Sequence, residues 1–105
     1  MDKSILIKAL NKYGAKQQED ICIEELAELQ LAILRIRRIW NNTREGNFTE
    51  AYANLIEEIA DVEICIEYLK LLYEQISPDF RGLVNKMVDY KVNRLKNRIQ
   101  RGKEQ

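Results

Sequence analysis

The chain has 105 residues, 46% of them hydrophobic and 32% charged, with 17 basic and 17 acidic side chains and no histidine. That length suits a single domain spanning 1–105, and zero net charge removes any global argument for nucleic-acid or anionic-membrane binding. No apolar run approaches membrane-spanning length.

Four glycines, one proline and no β-branched alternation make nearly everything read as helix. The opening Met1-Asp2-Lys3-Ser4 leads into an amphipathic stretch, not a secretory signal. A first helix is predicted over 4–12, with Ile5, Leu6 and Leu10 on one side and a stop at Tyr13-Gly14. A second is predicted over 16–40, its apolar positions 22, 26, 29, 33, 36 and 40 at three-to-four spacing. The polar stretch 41–48 reads as a loop. Thr49 is the expected N-cap of a third helix over 50–75, with Glu50 in its first turn. Between positions 55 and 73 that helix is apolar on nearly all sides, which places it centrally in a bundle or in a subunit interface.

Ser77-Pro78-Asp79 predicts a break and restart, with Ser77 as cap and Pro78 at the first helical position. The fourth helix is predicted over 79–101, with Leu83, Val84, Met87, Tyr90, Leu95 and Ile99 as its seam and a frayed end over 102–105. The expected class is all-α, a four-helix-type bundle. A chain this short buries a modest core, so a homo-oligomer is expected, with the second and third helices in its interface. Cys22 and Cys65, without a secretory signal, suit reduced thiols in a cytoplasmic protein and read best as small core residues.

Two acidic motifs stand out. Glu24-Glu25-Leu26-Ala27-Glu28 is followed by Glu57-Glu58-Ile59-Ala60-Asp61. The pairs Glu25/Glu28 and Glu58/Asp61 are spaced i, i+3, so each projects from one helix face. Both sit among Ile, Leu, Val and Cys, where carboxylates are costly to bury unless a positive charge neutralises them. Four oxygen ligands from two packed helices would hold a divalent cation. With no histidine, the Glu-x-x-His ligands of di-iron bundles are excluded, and an all-oxygen site suits Mg²⁺ or Mn²⁺. A basic tail follows, with Lys91, Arg94 and Arg98 on one face. Two regions of opposite sign suit a site that binds metal on one side and phosphate on the other.

The pattern Glu24-Glu25-x-x-Glu28 and Glu58-x-x-Asp61, set in IEELAELQLAI and NLIEEIADVEICIEYLKLL, resembles the MazG-like members of the all-α NTP pyrophosphatase superfamily. The tail Lys91-Val92-Asn93-Arg94-Leu95-Lys96-Asn97-Arg98-Ile99 is similar to that family's K-x-x-R-L-x-x-R-[ILV] ending. The resemblance covers 12–101. It implies a dimer or tetramer that uses Mg²⁺ to hydrolyse (d)NTP to (d)NMP and pyrophosphate. Carried over by motif, Glu25, Glu28, Glu58 and Asp61 are the metal ligands. Glu24 and Glu57, turned about 100° from them, are candidates for orienting water or a further ion. Lys91, Arg94 and Arg98 are candidate phosphate ligands. Gln18, with its neighbour Gln17, is a candidate base contact, as is Asn93 for ribose or base. Trp40, Phe48 and Tyr52 are aromatic candidates for stacking, with packing the plainer role.

Two other readings compete. Phosphoribosyl-ATP pyrophosphohydrolase shares the fold and the metal logic. A non-catalytic helical interaction module would use the acidic clusters as salt-bridge partners of the basic tail. No membrane or nucleic-acid partner is expected.

Overall fold

A computed structural model describes residues 1–41 and 46–104. All the regular structure among them is α-helical, as the near absence of helix breakers requires. By its internal contacts the chain divides into two compact units, Met1–Leu72 and Tyr73–Gln105.

The first unit opens with α1 (Lys3–Tyr13). Asp2 caps it, its carboxylate accepting from the Ser4 backbone N–H at 3.0 Å. Leu6 and Leu10, one turn apart, are its buried residues. Lys3 forms an ion pair with Glu67 at 3.7 Å, which ties the start of α1 to the third helix. Gly14 ends α1 with φ +89°, a conformation that only glycine adopts without strain. Its N–H donates to the Leu10 carbonyl, and its own carbonyl accepts from Gln18 N–H. One residue therefore closes the first helix and starts α2 (Ala15–Trp40).

Helix α3 (Phe48–Glu74) runs antiparallel to α2. The Cys22 Sγ donates to the Cys65 carbonyl at 3.5 Å near one end. Arg35 pairs with Glu50 at 3.8 Å, and the Trp40 and Phe48 rings lie 5.5 Å apart, towards the other. The packed face of α2 carries Gln18, Cys22 and Ala32, with Glu25, Leu29 and Ile36 half-buried. This differs from the predicted seam: Leu26, Ile33 and Trp40 are exposed. The predicted seam straddles two adjacent apolar faces of α2, and its Cys22, Leu29 and Ile36 do lie on the packed one.

Asn47, not Thr49, caps α3. Its side-chain oxygen accepts from Thr49 N–H at 2.8 Å and Glu50 N–H at 3.3 Å. Phe48 accordingly lies on the helix and not in the expected loop, whose positions 42–45 are outside the described residues. Ala51, Glu58, Val62 and Cys65 form the buried stripe of α3. Ile56, Ile59, Ile64 and Ile66 are exposed, so the helix is apolar nearly all round but covered along one stripe.

The second unit begins with the end of α3. Ser77 accepts the Phe80 N–H on its carbonyl and donates its hydroxyl to the Asp79 carboxylate. It therefore forms a turn, and the helical ladder starts later, with Leu83 N–H on the Asp79 carbonyl. Helix α4 is Phe80–Glu104, so of the end expected to fray, 102–104 are helical and 105 lies outside the described residues. Tyr73 stacks on Phe80 with centroids 5.4 Å apart. Arg81 places Nε and Nη2 at 3.0 and 2.8 Å from one Glu74 oxygen. Along the predicted seam of α4, Val84 is half-buried and the other five positions are exposed. No helix among the described residues is long and apolar enough to cross a membrane.

Candidate metal centre

The antiparallel register brings the two acidic motifs together. Glu25 lies one turn along α2 from Cys22, and Asp61 one turn back along α3 from Cys65. Carboxylate oxygens of Glu25, Glu58 and Asp61 all lie within 4.8 Å of one another. Three carboxylates at that spacing repel strongly, and the surroundings add to the cost. Glu58 is 9% exposed. One oxygen each of Glu25 and Glu58 is buried with no hydrogen-bond partner.

The electrostatics follow from that geometry. Burial pushes the Glu25 carboxyl up to about 7, and the charges of Asp61, Glu28 and Glu58 push in the same direction. Protonated Glu25 can donate to Asp61, which adds to the rise. Glu58 is raised for the same leading reason, burial, followed by the charges of Glu28 and Asp61. A cation among these oxygens would reverse every one of these effects. The donor set is hard oxygen from two helices, which fits Mg²⁺ or Mn²⁺ and fits soft metals poorly. The orphaned buried oxygens supply the lone pairs such an ion needs.

Glu28, the fourth expected ligand, stands outside the 4.8 Å group and is exposed. It lines a cavity of about 400 Å³ that continues from Glu58 between α2 and α3. Arg35, Arg38 and Asn54 line the same cavity. Sequence reasoning did not single out these three. The signal was present, since Arg35 and Arg38 follow Glu28 by seven and ten residues, a spacing that keeps them on one face.

The other candidates fall as follows. Glu24 and Glu57 are exposed, one residue before the ligand positions. Gln18, a buried residue of α2, is 5% exposed, while Gln17 is exposed. Trp40, Phe48 and Tyr52 come together: Phe48 stacks on Tyr52 at 6.2 Å and sits 5.5 Å from Trp40, the three bordering an open apolar groove. Lys91, Asn93, Arg94 and Arg98 belong to the Tyr73–Gln105 unit, exposed along α4. There the Arg94 guanidinium lies over the Tyr90 ring at 5.8 Å. Cys22 and Cys65 are buried free thiols, in keeping with the packing role.

No family model, no curated protein and no solved structure matches this chain.

Proposed function

We propose that this protein is a Mg²⁺-dependent nucleoside triphosphate pyrophosphohydrolase, a hydrolase that cleaves (d)NTP to (d)NMP and pyrophosphate. The observation that carries this reading is the group formed by Glu25, Glu58 and Asp61, three carboxylates within 4.8 Å with two buried oxygens that nothing satisfies. The motif resemblance to MazG-like proteins supplies the reaction, and the donor set supplies the cofactor.

Glu25, Glu58 and Asp61 would hold the cation, and Glu28 would reach it from the cavity side. A hard divalent ion bound there would polarise a phosphoryl oxygen and lower the pKa of a water. Glu24 or Glu57, exposed beside the ligand positions, would orient the attacking water and accept its proton. The low-dielectric floor formed by Cys22, Val62 and Cys65 strengthens these charge interactions relative to water. Such an enzyme would work as a homo-oligomer, because isoleucines of α3 remain uncovered.

The test is a panel of ribo- and deoxynucleoside triphosphates, with phosphoribosyl-ATP included, incubated with Mg²⁺ and resolved by product. Monophosphate plus pyrophosphate is expected. Diphosphate plus phosphate, or no turnover of any member, overturns the reading.

A further inference from the structure

The first helical unit carries cations of its own beside the carboxylates. Arg35 and Arg38 lie along α2 on the side of the cavity away from Glu58, with Asn54 facing from α3. At the rise of an α-helix, Arg35 stands about 10 Å and Arg38 about 15 Å beyond Glu28. The cavity is thus acidic at one end and basic at the other. Its volume, about 400 Å³, falls in the range of small-molecule sites.

We propose that Arg35 and Arg38, assisted by the Asn54 amide, bind the distal phosphates of a polyphosphate ligand whose near end meets the cation held by Glu25, Glu58 and Asp61. The inference deepens the pyrophosphohydrolase reading and rests on it, since without a cation the near end of the ligand would meet bare carboxylates. It assigns the phosphate-binding role to α2, in addition to the cations expected in the tail.

Three observations support it. The polarity of the cavity matches a ligand that is metal-bridged at one end and purely anionic at the other. Guanidinium groups offer paired donors that fit phosphate oxygens, and Asn54 adds a neutral donor from the opposite wall. The ion pair that Arg35 makes is a loose one: it reaches Glu50 at 3.8 Å, and the Glu50 side chain is 71% exposed. Pairs of that kind contribute little, so turning Arg35 towards a phosphate costs little. An arginine side chain and a polyphosphate, each several ångströms long, together span the distance from Arg38 to the carboxylates.

The experiment uses two titrations on the whole chain. Mg²⁺ alone, followed by calorimetry, reads the carboxylates. Inorganic tripolyphosphate, titrated with and without Mg²⁺, reads the arginines. Arg35→Met and Arg38→Met keep the aliphatic stem and remove the charge. Each is expected to weaken tripolyphosphate binding about tenfold, the size of one charge-assisted hydrogen bond. The Mg²⁺ isotherm should stay as in the unmodified chain, and so should the melting temperature of Arg35→Met, whose ion pair is loose. Arg38→Lys should recover part of the loss, because it restores charge without the paired donors. Tripolyphosphate affinity that is unchanged in the double variant overturns the proposal, and so does failure of the unmodified chain to bind tripolyphosphate. A fall in melting temperature with unchanged tripolyphosphate affinity would make the arginines structural and would overturn it too. Failure of the cation site shows separately, as a flat Mg²⁺ isotherm in the unmodified chain.

Discussion

The Cys22 thiol donates to the Cys65 carbonyl oxygen at 3.5 Å, and this contact marks the register in which α2 meets α3. One turn further along α2 and one turn back along α3 stand Glu25 and Asp61. A different rotation of either helix would have sent one of these carboxylates to solvent. The small thiols allow close approach at that level, and one oxygen each of Glu25 and Glu58 is buried there with no hydrogen-bond partner. The acidic group therefore stores repulsion in the ion-free fold.

That repulsion sets the response to metal and to charge removal. Mg²⁺ should raise the melting temperature, by about 2.7 kcal/mol of stability at 100 times its Kd, because it binds the folded state alone. EDTA should cancel the gain. Glu25→Gln and Asp61→Asn should each abolish most of it and lower turnover at least about 100-fold, while the metal-free variants melt at or above the temperature of the unmodified chain. Glu28→Gln, at the exposed edge of the cavity, should cost less metal affinity than Glu25→Gln. Differential scanning calorimetry with and without Mg²⁺ checks all three, and a melting curve indifferent to Mg²⁺ would count against the site.

A second prediction concerns assembly. Ile56 is 53% exposed, and Ile59, Ile64 and Ile66 are exposed on the same helix, with Ile23 and Ile33 on α2. Apolar surface of this extent in so small a chain calls for cover by another copy. Light scattering at micromolar concentration should give a dimer or larger. Ile56→Glu should shift the population towards monomer without loss of helical circular dichroism. A monomeric unmodified chain refutes this.

The buried thiols give a pH prediction. Burial is the main cause that pushes Cys65 up to about 12, with its hydrogen bond to Cys22 adding to it, and burial also raises Cys22. In the unfolded chain a thiol ionises near its ordinary value, about 8.5. The folded state therefore holds more protons at alkaline pH, and stability is retained below that value and lost as pH rises towards 12. Thiolate is the reactive species, so alkylation at pH 8 should be slow in the native chain and fast in denaturant. Rapid native alkylation of both cysteines would contradict the packing described.

The junction of α1 and α2 gives a fourth prediction. Gly14 has φ +89° and ψ 159°, a region closed to side chains with a Cβ. No neighbouring atom would obstruct a Cβ there. Gly14→Ala should thus destabilise through backbone strain alone, by about 1–3 kcal/mol. Chemical denaturation measures it, and a loss well below 1 kcal/mol would mean that the turn relaxes.

Much of the helix content was legible because it depends on local chemistry. The stop at Gly14, the break at Ser77-Pro78-Asp79 and the existence of the helices follow from residues a few positions apart. The caps were less legible. Asn47 and Thr49 are both good N-caps by type, and only the side-chain geometry selects Asn47, whose oxygen reaches both Thr49 and Glu50 N–H groups.

The acidic motifs were legible as i, i+3 pairs on apolar helices, so the sequence by itself determined which carboxylates share a helix face. It could not say which face of α2 is covered, because Leu26, Ile33 and Trp40 look as suitable for a core as Cys22, Leu29 and Ala32. Tertiary packing decided for the face with the smaller residues, where close approach is possible. That choice places Glu25 beside Asp61 and Glu58 and leaves Glu28 at the mouth of a cavity. It also sets Arg35 and Arg38 on the wall of that cavity, a relation invisible in a linear chain because it depends on Asn54 and Glu58 arriving from the opposite helix. Local spacing determines what a helix can present, and the rotation of one helix against another, set by the fit of side chains from distant positions, determines what it meets.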